Sequence, residues 1–224
     1  MTTSQSRQFK DTIYAQFARV GKALSAPKRL ELLDLLSQGP RTVEALAREA
    51  AISVANASQH LQILRSARLV DGDKRGHFVE YRIADSQVSH FSVVLRELAE
   101  ARLAEIEQVT RAYIEERDAL EQVPGEELLR RIRAGEVTVL DVRPVAEYEA
   151  GHLPGALSVP LPELPQRIGE IPAGREVVAY CRGPYCVMAI EAVAVLRQKG
   201  FRAHRLEEGV QDWRARGWLV EAGR

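Results

Sequence analysis

The sequence predicts two domains of different class: an α+β head of short helices and a β-hairpin, then a long helix, then an α/β domain on a parallel sheet. Three observations predict it. Apolar residues recur at helical spacing through the first third of the chain, whereas the last part alternates helical stretches with short β-branched runs. Val123-Pro124-Gly125 is a breaker cluster at the join. Between positions 86 and 120 there is neither Gly nor Pro, as a long helix requires.

Composition sets the outer limits. With 46% hydrophobic and 28% charged residues over 224 positions, the chain is ordinary globular material and fits two modest domains better than one. No apolar run approaches the ~18 residues of a membrane span, and Met1-Thr2-Thr3-Ser4-Gln5-Ser6-Arg7 lacks a signal peptide's apolar stretch. A cytoplasmic protein with no membrane partner is therefore expected. The net charge of zero is unevenly spread, basic over residues 1–84, acidic over 85–122 and balanced beyond. The basic head is the part suited to a polyanion, although a solvated surface also carries such an excess.

The elements follow in order. Helical spacing runs over residues 9–24 and 28–36 and closes at Gly39-Pro40. Thr42 caps a short helix to about Ala51, and after Ile52 a second cap, Ser53, starts another to about Arg68, the spacing of a helix-turn-helix. Leu69-Val70-Asp71 and residues 77–83 read as strands joined by Asp73-Lys74-Arg75-Gly76, a basic-tipped hairpin. One helix is expected over 86–120, with an apolar stripe at Val88, Phe91, Leu95, Leu98, Ile106, Val109 and Tyr113 interrupted near Arg102. At 1.5 Å per residue such a helix spans ~50 Å, too long for one small domain to cover, so a second copy of the chain is expected against it. Strands are then expected at 137–142, 157–159, 176–180 and 203–206. Helices are expected near Glu147 and at 163–168, 187–198 and 209–216.

On the second helix of the pair, Ala57, Leu61 and Leu64 share one face and small or amide residues fill the other. Asn56, Ser58, Gln59 and Gln62 are the candidate base contacts for double-stranded DNA, and Lys74 and Arg75 the candidate backbone contacts. Solubility alone would also explain such a face. The decisive residues are Leu24-Ser25-Ala26-Pro27-Lys28-Arg29-Leu30, Ser58-Gln59-His60-Leu61 and Leu69-Val70. Through them residues 18–85 resemble the winged helix-turn-helix of the arsenic-repressor (ArsR) family. The resemblance implies a homodimer that occupies two half-sites and releases DNA when an inducer binds. Metal-sensing relatives need converging Cys, His or carboxylate ligands. Residues 42–51 hold no Cys or His, and His90 stands alone on the long helix, so neither a metal nor a cofactor is expected.

The only cysteines, Cys181 and Cys186, bracket Arg182, Gly183, Pro184 and Tyr185 between a strand and a helix. Backbone N–H groups and a helix start there favour an anion such as a thiolate or persulfide, and would lower the Cys181 thiol. A buried structural cysteine beside a turn is the bland alternative. Leu140-Asp141-Val142-Arg143, Glu147-Tyr148, Gly151-His152-Leu153-Pro154-Gly155-Ala156, Tyr180-Cys181, and Leu206-Glu207-Glu208-Gly209 with Trp213 make residues 124–218 resemble the rhodanese, or sulfurtransferase, domain. The resemblance implies that Cys181 accepts a sulfane sulfur and that Asp141 and Arg143 order the surrounding loops. Where many such enzymes carry a basic residue, five positions on, stands Cys186, which disfavours thiosulfate as donor.

These readings divide the chain into a winged helix-turn-helix DNA-binding domain (1–85), a linker and dimerisation helix (86–122) and a rhodanese-like domain (123–224). The expected function is a repressor controlled by sulfur or redox change at Cys181, in a cycle bridged through Cys186, with polysulfide or persulfide donor and thiol reductant as partners. Two rivals stay open: a sulfurtransferase enzyme with a localising head, and a rhodanese-like fold that only recruits a partner.

Overall fold

The computed structural model describes residues 3–115, 122–123 and 125–223. The end of the expected long helix (116–120) and Pro124 of the join lie outside them. The chain divides into two compact units, Met1–Ser92 and Val93–Arg224.

The first unit holds α1 (Thr3–Leu24), α2 (Pro27–Ser37), β1 (Arg41–Thr42), α3 (Val43–Glu49), α4 (Val54–Ser66), β2 (Val70–Arg75) and β3 (Phe78–Ile83), and ends within α5 (Ser86–Arg102). Its sheet runs β1-β3-β2, antiparallel throughout. Local chemistry accounts for the boundaries. The Thr42 hydroxyl accepts from the Ala45 N–H at 3.3 Å and the Ser53 hydroxyl from the Asn56 N–H at 3.2 Å, capping α3 and α4. Pro27 occupies the first turn of α2, where a missing N–H costs nothing. The next two residues of that motif tie helix ends. Lys28 donates to the Ala50 carbonyl at 2.7 Å, and Arg29 to the Lys22 carbonyl at 2.8 Å, satisfying C-terminal groups of α3 and α1. Leu32, Leu33, Leu46, Ala57, Leu61, Leu64 and Tyr81 close the core.

The hairpin turn lies further along than the sequence suggests. Lys74 and Arg75 belong to β2, paired with Val79 and Phe78, and the turn is Gly76-His77, with Gly76 at φ +61°.

The helix expected over 86–120 is two: α5, then α6 (Ala104–Glu115), broken at Leu103. The break is local: the Leu103 N–H still donates to the Ala99 carbonyl at 2.8 Å, and the Ile106 N–H turns back to the Leu103 carbonyl at 3.0 Å.

The second unit, from Val93, adds β4 (Gln122–Val123), α7 (Gly125–Arg133), β5 (Val137–Asp141), α8 (Val145–Ala150) and β6 (Leu157–Ser158). Then come 3-10 and α turns around α9 (Leu164–Arg167), β7 (Glu176–Tyr180), α10 (Met188–Gln198), β8 (Ala203–Leu206) and α11 (Val210–Ala215). The sheet order is β4-β8-β7-β5-β6 with every pair parallel. Neighbouring residues of β7 face opposite ways, as a period of two requires. Val177 and Ala179 pack with Ala189, Val193 and Leu196, and Val178 and Tyr180 with Leu128, Val210 and Trp213. Both faces are covered, so the central strands carry no exposed residue.

Candidate functional site

Of the DNA-facing candidates, Asn56, Gln59, Gln62, Lys74 and Arg75 are exposed and Ser58 is half-buried, while Ala57, Leu61 and Leu64 on the opposite face of α4 are buried. Arg75 lies 3.7 Å from Glu80, a solvent-exposed pair worth little in stability. His60 is half-buried at the core edge.

The two-cysteine loop springs from the carboxyl end of β7, where a parallel sheet offers its sites. Alternation along β7 sends Tyr180 to one face and Cys181 to the other. On the Tyr180 side lies a buried polar network. Asp141 and Arg143 are both fully buried and doubly bonded, Nε to Oδ1 at 2.9 Å and Nη2 to Oδ2 at 2.6 Å. Arg143 also donates to the Gly151 carbonyl at 2.7 Å. The Tyr180 hydroxyl donates to Asp141 at 2.5 Å and accepts from the Leu153 N–H at 3.1 Å. Asp141 thus joins the end of β5, the end of β7 and the 151–153 loop. Burial alone would lower the Arg143 guanidinium, and the bonds to Asp141 more than reverse it, leaving it above its ordinary value. Burial and the Asp141 charge together push the Tyr180 hydroxyl well up.

The loop itself is held from several sides. Arg182 binds Glu147, Nη2 to Oε1 at 2.5 Å, so the charge nearest the thiols is paired with a buried carboxylate. Gly183 sits at φ +148°, where an L side chain is strained. Gly209 packs so closely that a Cβ there would come within 2.3 Å of the Arg182 carbonyl oxygen. The buried Arg205 of β8 donates to the Pro184 carbonyl at 3.2 Å.

Both cysteines are free thiols. Cys181 is 2% exposed, and its Sγ lies 3.3 Å from the Cys186 carbonyl oxygen. Each thiol influences the ionisation of the other. The Cys181 hydrogen bond, the Arg182 and Met188 N–H groups and the Arg182 charge lower Cys186 to about 6 against its own burial. Burial first, then the bond and charge of Cys186, push Cys181 well up despite the N–H groups of Ala189 and Gly183. Backbone N–H groups reach both sulfurs, and Cys181 is the more deeply enclosed of the two.

Two further contacts fix the loop to α5, within the second unit. The Tyr185 hydroxyl donates to Glu100 at 2.6 Å, and Arg96 bonds both Glu100, at 3.4 Å, and the buried Asp212. Asp212 in turn accepts from the Gly209 N–H at 2.7 Å. Arg96, Asp212 and Arg205 were invisible as site residues in the sequence. The one available signal was Arg205, a charge inside an otherwise strand-like run.

Residues 26–71 match the family described as bacterial regulatory protein, arsR family, and residues 125–216 match the rhodanese-like domain. The HTH-type transcriptional regulator Rv0324 of Mycobacterium tuberculosis is 43% identical over 96% of this chain and 94% of its own length. The chain belongs to the ArsR family, with a rhodanese-like domain fused behind the winged helix. A sulfurtransferase of Allochromatium vinosum is 35% identical over 45% of this ArsR-family chain and 94% of its own. The solution structure of the homodimeric winged helix-turn-helix DNA-binding domain of Mb0332 from Mycobacterium bovis is 40% identical. It covers 42% of this chain and 87% of that one, with a TM-score of 0.40. Among the described residues no helix of this ArsR-family regulator is long and apolar enough to cross a membrane, and no three His, Cys, Asp or Glu residues group as a metal site.

Proposed function

We propose that this transcriptional regulator is a homodimeric repressor whose DNA affinity follows the sulfur or redox state of the Cys181 and Cys186 pair. The carrying observation is a pair of free thiols in one loop, the Cys181 Sγ 3.3 Å from the Cys186 carbonyl oxygen, with that loop tied by Tyr185 to Glu100 of α5. α5 is a continuous helix that begins in the DNA-binding unit.

The chemistry needs no outside oxidant when the donor is a polysulfide. A Cys186 thiolate attacks an inner sulfur of HS–S–S–SH, the central S–S bond breaks, HSS⁻ leaves, and Cys186–S–S–SH remains. Cys181, losing its proton, attacks the sulfur next to Cys186 and expels HS⁻, leaving a bridge with one inserted sulfur. A thiol reductant restores both cysteines in two exchange steps. An inserted atom also eases the ~7 Å limit that a plain disulfide places on its Cα atoms.

Dimerisation rests on exposed apolar surface. Phe9, Tyr14 and Phe17 of α1 are 61%, 67% and 64% exposed, and Phe91 and Leu98 of α5 are 48% and 55%. DNA contact is assigned to Asn56, Ser58, Gln59 and Gln62 on α4 and to Lys74 and Arg75 on the wing. The deciding measurement is an anisotropy titration of operator DNA with reduced protein, polysulfide-treated protein and treated Cys181→Ser. A coupling of ~1–3 kcal/mol, a change of about 5–150-fold on treatment, is expected for the wild type and absent from the variant. Equal affinity in all three overturns the reading.

A second reading, an enzyme that turns sulfur over, draws on the likeness to the sulfurtransferase. It predicts steady-state transfer to cyanide or a thiol with no change in DNA affinity.

A further inference from the structure

The two thiols differ in what surrounds them. Cys181 is enclosed in the α10 side of the sheet core. Cys186 lines a cavity of about 180 Å³, with Tyr185 and Ile190 beside it and Val109, Thr110 and Tyr113 of α6 forming the opposite wall. Among the described residues, none that lines it carries a charge at neutral pH apart from Cys186 itself. Drug-sized ligands occupy ~300–1,000 Å³, so this space suits a molecule of a few heavy atoms. Within the loop the cation, Arg182, is bonded to Glu147.

We propose that this cavity receives a small uncharged sulfane-sulfur compound, an organic trisulfide, and that Cys186, not Cys181, is the thiol it meets first. The assignment rests on the sulfur-sensing reading and adds the donor class and the order of attack. An apolar wall favours a neutral ligand because a thiosulfate-like anion would lose its hydration without gaining a partner. The lowered Cys186 thiol supports the same order. With dimethyl trisulfide the steps balance. The Cys186 thiolate attacks the central sulfur, one S–S bond breaks, methanethiolate leaves, and Cys186–S–S–S–CH₃ forms. Cys181 then gives up its proton, attacks that same sulfur and expels the second methanethiolate. The protein gains one sulfur and loses two hydrogens.

Time-resolved peptide mapping of the full chain, treated in parallel with dimethyl trisulfide and with the dianion tetrathionate, tests this. Wild-type protein is expected to show the earliest adduct on Cys186, and to react faster with the trisulfide. Cys181→Ser is expected to stop at the methyl-capped Cys186 adduct, and Cys186→Ser to lose at least about tenfold in rate. Val109→Arg, at a rim position 69% exposed and therefore tolerant of substitution, is expected to reverse the preference toward tetrathionate. Early label on Cys181, or a donor preference unmoved by Val109→Arg, overturns the proposal. Failure of the parent reading looks different: Cys186 takes the trisulfide as described while operator affinity stays fixed.

Discussion

Asp141 is the residue on which the loop's frame depends, because hydrogen bonds from three chain segments involve its carboxylate or the arginine it holds. Removing one partner of such a buried pair leaves an uncompensated charge, so Asp141→Ala is expected to cost the rhodanese-like unit ~3–5 kcal/mol in urea unfolding. A loss under 1 kcal/mol would show that the pair contributes little. At Cys186 the expectation concerns pH. A thiol lowered to about 6 is mostly ionised at neutrality and mostly protonated below pH 5. Its iodoacetamide alkylation should fall about tenfold from pH 7 to pH 5, whereas a midpoint near 9 would place the low thiol elsewhere. Sequence made Asp141, Arg143 and both cysteines legible, since each sits in a compact local pattern. It hid the enclosure of Cys181, which depends on packing against α10, and it hid Arg96, Asp212 and Arg205, whose partners lie far off along the chain.

At the scale of elements, the helix-turn-helix was readable because its caps and apolar face are local. Other elements were not. β1 and β4 are two residues each, strands only through pairing with β3 and β8, and α7 lies directly after the breaker cluster. The wing carries a clear expectation. Lys74→Ala and Arg75→Ala should each weaken binding to all sequences alike and shallow the salt dependence by about one unit, while Gln59→Ala should cost ~1–3 kcal/mol at one base position only. Salt titrations on matched and mismatched duplexes separate the two behaviours. The tie between loop and α5 can be cut at one atom. Tyr185→Phe removes the bond to Glu100 and should leave sulfur uptake intact while reducing the change in DNA affinity by ~1 kcal/mol, about fivefold. An undiminished response would mean that the signal travels elsewhere.

For the whole molecule, the open question is what covers the apolar residues of α1. Phe9→Glu with Phe17→Glu should convert a dimer to monomer in sedimentation velocity, with the fold retained by circular dichroism and operator affinity reduced. A dimer that survives the double change would shift the interface to α5. The break at Leu103 bears on the same scale, since it separates α6, the wall of the Cys186 cavity, from α5, the helix shared by both units. A final consequence belongs to the enclosure of Cys181. Were the two sulfurs joined, only the Cys186 end would face a reducing agent, and the other would stay out of reach until the loop opened. The lifetime of the joined state would then follow the opening rate more than the abundance of the reductant. Such a protein would keep a timed memory of past exposure, outlasting the exposure itself.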